Sequence, residues 1–370
     1  MATRALFAAV LFLMGLGGDP LHAACPSGPS KFFTVSGQVK NPTSFDLPKL
    51  QQFAPQLHVK WGTLDYSEAS FAGALLWDVL NRPPVGGILA NPTVKNDVLR
   101  KVVVVTGIDC KQTVFSVGEL DPSFGGNPVM IAYAEGGQLL DKDGFARIVG
   151  EARTPLTGSA KAGVEGRRSI ASIASIAVLD AVAPVMGLGG DPLHAACPSG
   201  PSKFFTVSGQ VKNPTSFDLP KLQQFDPQVH AGSGPTVEAV ISFTGGKLQQ
   251  SATQVKGSAV SFTGANLWDL LNKLPVGGII TNPKVENDVL RKVVVVTGTD
   301  CDQTVFSAGE LVLGREPMIA YAADDQPLGK DGFARIVLSG ETGSSVLAGA
   351  ETKGRSVSNI SSIVVGDAAR

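Results

Sequence analysis

Histidine, cysteine and aromatic residues are all scarce in this chain of 370 residues, which has four His, four Cys and 6% Phe, Trp and Tyr. The histidines are His22, His58, His194 and His230. None is matched to a Ser or Cys motif that recurs along the chain, so nucleophilic catalysis has no visible base. No CxxC spacing is present, which removes the common thiolate metal sites. Charge of one sign is also lacking. The net charge is −1 and the lysines and arginines are scattered, which excludes a basic stripe for nucleic acid or anionic lipid. Beyond residue 20 no apolar run is long enough to span a bilayer, so no membrane contact is expected after processing. Gly is plentiful at 43 residues, which suits a turn-rich β domain. Its pairs at Gly86-Gly87 and Gly125-Gly126 lack the strand–loop–helix setting and the Lys of a phosphate loop.

What the chain does have is a repeat of itself. Residues 14–53 recur identically as 186–225. After a divergent stretch the halves reconverge, with NDVLRKVVVVTG starting at Asn96 and Asn287, and KDGFARIV starting at Lys142 and Lys330. A repeat this long predicts two complete domains, not a solenoid. The expected division is a signal peptide at 1–24, copy one at 25–179, a linker at 180–202 and copy two at 203–370. The linker carries a relic signal-like segment and two Gly/Pro clusters, so few contacts are expected to cross it.

The signal peptide reading rests on Arg4, a short apolar core from Ala5 to Leu16, and small residues at Ala23-Ala24. Cys25 directly after Ala24 raises a lipoprotein reading, but His22 stands where such a site wants an aliphatic residue. Export to the periplasm or beyond agrees with the cysteines. Cys25 and Cys110 of copy one match Cys197 and Cys301 of copy two, and in an oxidising compartment each pair is expected to form a disulfide. Such a bond contributes roughly 2–4 kcal/mol in the chain-entropy account.

Along each unit the pattern predicts an α+β domain with a mixed sheet and short helices. Strands are expected at 32–39 and 204–211, with a short helix from Leu47 and Pro48. Residues 54–70 and 226–261 form a variable region, in which 237–243 reads as an extra strand. Helices are expected at 75–80 and 267–271. The valine runs at 101–107 and 292–298 predict central strands buried on both faces. Further strands are expected at 129–134, 145–149 and 173–178. Trp77 and Trp268, among leucines at helical spacing, read as core.

The order of these segments resembles the molybdopterin-binding domain of the sulfite oxidase family. In copy one the run is Phe33-Thr-Val-Ser-Gly37, Asn41-Pro42, Ser70-Phe71-Ala-Gly73 and Leu76-Trp77-Asp78. It continues through Val103-Val-Val-Thr106-Gly107, Gly118-Glu119-Leu120, Ile131-Ala-Tyr133 and Asp143-Gly144-Phe-Ala-Arg147. Copy two keeps most of it, including Gly309-Glu310-Leu311 and Asp331-Gly332-Phe-Ala-Arg335. The resemblance implies two similar mixed-sheet domains of the sulfite-oxidase-type molybdopterin-binding fold.

Family oxidoreductases bind molybdenum through the pterin dithiolene and one cysteine placed before the Phe-x-Gly segment. Residues 56–70 and 236–261 contain neither Cys nor Arg. Cys110 and Cys301 fall after the Thr-Gly-x-Asp segment, outside the ligand position. The resemblance therefore assigns no catalytic residue and no metal ligand. It offers Arg147, Arg168, Arg335 and Arg355 as cofactor-binding candidates, because a pterin phosphate wants cationic donors. The plainer role for each is a structural ion pair.

The resulting expectation is an exported, non-catalytic binding or interaction module with no cofactor, whose partner is an unknown small molecule or periplasmic protein. One alternative is a divergent periplasmic oxidoreductase that uses molybdopterin. Another is a structural envelope protein.

Overall fold

The computed structural model describes residues 28–53, 57–62, 68–124, 126, 128–141, 144–150, 168–181, 200–231, 237–244, 247–254, 261–312, 317–329, 332–338 and 355–368. The expected signal peptide, most of the linker, Cys25 and Cys197 lie outside these residues. The architecture is mixed α+β and mostly sheet.

Copy one is built on two sheets. The first has the order β2 (Thr43–Phe45), β1 (Phe33–Gly37), β10 (Ile173–Asp180), β5 (Lys101–Gly107) and β6 (Gln112–Ser116). Within it β1 and β10 run parallel and the other neighbours antiparallel. The second has β3 (Leu57–Gly62), β4 (Glu68–Leu75), β7 (Val129–Glu135) and β8 (Gln138–Leu139), with β9 (Arg147–Gly150) also on β7. Copy two repeats both plans. Its first sheet is β12 (Thr215–Phe217), β11 (Phe205–Gly209), β22 (Ile360–Asp367), β17 (Lys292–Gly298) and β18 (Gln303–Ser307). Its second joins β13 (Gln228–Ala231), β16 (Ser261–Asn266), β19 (Met318–Ala323), β20 (Gln326–Pro327) and β21 (Arg335–Val337).

The variable region holds more strand than its sequence suggests. In copy one, β3 and the start of β4 lie in it and pair antiparallel. In copy two the expected extra strand is β14 (Val237–Thr244), and a partner not anticipated, β15 (Lys247–Gln254), completes a hairpin. Most positions of β15 are polar (KLQQSATQ), which weakens the period-2 signal there.

The helices are short and locally encoded. At α1 (Leu47–Leu50) the Asp46 carboxylate accepts from the Lys49 N–H at 3.0 Å, and Pro48 takes a position needing no donor. At α2 (Leu76–Asn81), Leu76, Val79 and Leu80 face the core at helical spacing, and Trp77 packs against it part-buried.

The valine strands show why both of their faces are apolar. Val103 and Val105 belong to the core of copy one, and Val294 and Val296 to the core of copy two. The alternate residues Val102, Val104, Val293 and Val295 join Val114, Val305, Ala181 and Ala368 in a separate cluster with members from each copy. Successive side chains in a strand point to opposite faces, so one run serves two cores. The first sheets of the two copies therefore pack on each other. This differs from the expectation that few contacts cross between the copies, because the second face of each valine run needs a cover and the other copy provides it.

Candidate functional site

The most elaborate polar constellation among the described residues lies where the copies meet. It starts from a local motif present twice, Ser116-Val-Gly118-Glu119-Leu120 and Ser307-Ala-Gly309-Glu310-Leu311. Each Ser ends its strand (β6 or β18) and begins a helical turn, α3 (Val117–Leu120) in copy one and Ala308–Val312 in copy two. The Ser116 hydroxyl accepts from the Glu119 N–H at 3.1 Å, and the Ser307 hydroxyl from the Glu310 N–H at 3.0 Å. The same hydroxyls donate across the interface, Ser116 to Glu310 Oε2 at 2.9 Å and Ser307 to Glu119 Oε2 at 3.2 Å.

Each buried glutamate is answered by an arginine of its own copy. Arg168 Nη2 stands 2.6 Å from Glu119 Oε1, and Arg355 Nη1 stands 2.6 Å from Glu310 Oε1. Arg168 also donates to the Val114 carbonyl at 2.9 Å, and Arg355 to the Val305 carbonyl at 3.0 Å. Their guanidinium groups lie over Phe115 and Phe306, 4.1 and 4.4 Å from the ring centroids. Both arginines reach into the other copy as well, to Ser307 at 3.4 Å and Ser116 at 3.3 Å. Arg355 is fully buried and Arg168 is 5% exposed. A buried charge costs several kcal/mol unless it is paired and hydrogen-bonded, and here every pair is reciprocated by its counterpart. The contact is isologous: what copy one gives to copy two, copy two returns.

The four arginines offered by the sequence as cofactor ligands are thus not in one place. Arg168 and Arg355 are enclosed at the interface in the ion pairs just described, which is the plainer role that an arginine fills. Arg147 and Arg335 lie elsewhere, on β9 and β21 of their own copies. Arg147 Nη1 is 3.4 Å from Glu135 Oε2. Arg335 donates to Ser356 Oγ at 2.8 Å and lies 5.6 Å from the Phe262 ring centroid. Both remain partly accessible to solvent.

Cys110 and Cys301 occupy matching turns with left-handed backbone, φ 62 and 66. Both are disulfide-bonded, and no free cysteine is found among the described residues. Their expected partners, Cys25 and Cys197, lie outside the described residues, so the pairing is kept as a proposal. A sulfur held in a disulfide has no thiolate to give a molybdenum centre. Among the described residues no group of three or more His, Cys, Asp or Glu could hold a metal ion, and no helix is long and apolar enough to cross a membrane.

Two further pairs close the rim of the interface. Lys95 of copy one binds Asp302 of copy two, and Lys111 Nζ lies 3.2 Å from Glu286 Oε2. The hydrogen bond to Asp302 raises the Lys95 pKa above its usual value, and that to Glu286 does the same for Lys111. Sequence reasoning missed Ser116, Ser307, Glu119 and Glu310 as a unit. The available signal was a Glu kept beside a Gly after an apolar strand in both copies, a place where a carboxylate must be paired.

No family model matches the chain, and no curated protein matches it. The likeness to the sulfite oxidase family therefore stands on the order of the motifs alone. Among solved structures, the crystal structure of the sulfane dehydrogenase SoxCD from Paracoccus pantotrophus is similar at 14% identity and a TM-score of 0.29. The match covers 74% of this chain and 58% of that one. A likeness at that level decides neither fold nor function, and what the chain is must be argued from its own residues.

Proposed function

We propose that this chain is an exported, non-catalytic binding or interaction module in which two copies of one domain form a single paired body. One observation carries the reading. Arg168 and Arg355, the late-domain arginines that the family resemblance would turn toward a pterin, are enclosed with Glu119 and Glu310 and hold the copies together. The bonded state of Cys110 and Cys301 supports it, since neither sulfur is available as a soft metal ligand. Metal and pterin analysis of the protein purified from its native compartment tests the proposal. Absence of stoichiometric molybdenum and pterin is expected, and one molybdenum per copy would overturn it.

The alternative, a divergent oxidoreductase that retains the pterin, has Arg147 and Arg335 in its favour, because both residues are only partly buried. Titration with a pterin phosphate or a phosphate mimic separates the readings. Saturable binding that Arg335→Ala weakens by about 1.5–3 kcal/mol, the range of a charged hydrogen bond, would favour the alternative.

A further inference from the structure

The deep part of the interface is the same in both copies, but its rim is not. Ser116, Glu119 and Arg168 have identical counterparts in Ser307, Glu310 and Arg355. At the rim, copy one has Lys95 in the Val-x-Asn-Asp loop where copy two has Glu286. It has Lys111 after Asp-Cys where copy two has Asp302. The structure crosses these four residues into opposite-charge pairs, Lys95 with Asp302 and Lys111 with Glu286.

Because the faces meet reciprocally, the composition of each self-pairing follows. Copy one against a second copy one would bring Lys95 to Lys111 twice. Copy two against a second copy two would bring Glu286 to Asp302 twice, and Asp300, which adds to the field on Lys95, would add to that repulsion. Copy one has Asp109 at the position of Asp300, so its self-pairing is the less repulsive of the two. The lysines are 70% and 50% exposed, so either pair adds little stability by itself. Selectivity depends on a difference between partners, and a like-charge clash on the rejected side supplies most of it.

We infer that the charged rim makes the two copies selective partners for one another and disfavours pairing of either with its own kind. Two self-pairing domains on one chain would otherwise join like to like between chains and grow into open strings. Opposite charge at the rim, together with the covalent tether, directs the pairing to close within one chain. The inference stands on the pairing geometry and is independent of what the paired body binds.

The test uses the full chain with a specific protease site placed between residues 182 and 199, cut after folding. Exchange of a dye-labelled half against excess unlabelled half then reports dissociation. Lys95→Glu with Lys111→Asp makes both rims acidic, and Glu286→Lys with Asp302→Lys makes both basic. Each double variant is expected to exchange roughly tenfold faster than wild type at low salt, the acidic one more so. All four changes together restore opposite charge and should return exchange to within about twofold of wild type. If the halves do not exchange measurably, the low-salt unfolding midpoints of the uncut chains are read in the same order. Double variants that behave like wild type, or a fourfold variant no better than the doubles, would overturn the inference. Should one double fail to fold, recovery in the fourfold variant decides.

Discussion

Gly118 of copy one and Arg355 of copy two meet with no room for a side chain between them: a Cβ on Gly118 would stand 2.6 Å from Arg355 Nε. The counterpart repeats it, with a Cβ on Gly309 falling 2.7 Å from Arg168 Nε. Each glycine leaves space for an arginine that belongs to the other copy. The helical turns approach closely because these positions are bare.

Gly118→Ala and Gly309→Ala should therefore destabilise the protein, although Gly→Ala within a helical turn ordinarily helps by about 0.5–1 kcal/mol. Here the added methyl meets a guanidinium held by a carboxylate, a carbonyl and a hydroxyl, and the overpacking should cost about 1–3 kcal/mol. Urea unfolding checks the sign. A stabilised Gly118→Ala would mean that the copies stand further apart than described.

The buried ion pairs predict a specific pattern of coupling. Arg355→Met leaves Glu310 buried without its cation and should cost about 3–5 kcal/mol. Adding Glu310→Gln to that variant removes the stranded charge, so the double change should recover a good part of the loss. A double-mutant cycle measured by denaturant unfolding reads the coupling directly. Simple additivity would contradict a paired, buried arrangement.

Asp367 links stability to acid. Burial pushes its carboxyl up, but hydrogen bonds from Lys292 and Gln210 and the nearby Arg291 charge outweigh burial and hold it below the ordinary 3.8. Lys292 Nζ and Gln210 Nε2 each lie 2.6 Å from its oxygens. A carboxylate held below its unfolded value contributes stability that is fully present above that value and is lost as pH falls through the folded one. Wild type and Asp367→Asn should therefore differ most in unfolding midpoint well above pH 3.8 and converge as the pH falls below it. A gap that is constant with pH would show that the ionised carboxylate is not what Lys292 and Gln210 hold.

Non-reducing peptide maps should join Cys110 to Cys25 and Cys301 to Cys197, as matching positions in the two copies imply. The exposed turns of Cys110 and Cys301 suit a bond to each copy's leading segment. Peptides crossing between copies would replace this with a covalent link across the interface.

Much of the local architecture was legible because it is written locally. The valine runs, the Leu-Trp-Asp turns and the helix start at Leu47-Pro48 each announce themselves within a few residues. The hairpin strand β15 was harder to read, since its sequence is polar and weakly alternating, whereas β3 alternates cleanly and could have been read. The interface was hidden for a different reason. A strand apolar on both faces reads the same whether a helix or another copy covers it, so the valines foretold burial without naming the cover. Glu119 looked like one residue of a family motif, and only its approach to Arg168 and Ser307 shows why a carboxylate is kept there.

The measurement that bears most directly on the paired body is sedimentation of the full chain after cleavage between residues 182 and 199. The valine cluster and the reciprocal Ser–Glu–Arg contacts should keep the halves together, so the cut protein should sediment as one particle with the mass of the uncut chain. Two independent particles of half that mass, each folded, would contradict the shared interface and with it the account of Arg168 and Arg355.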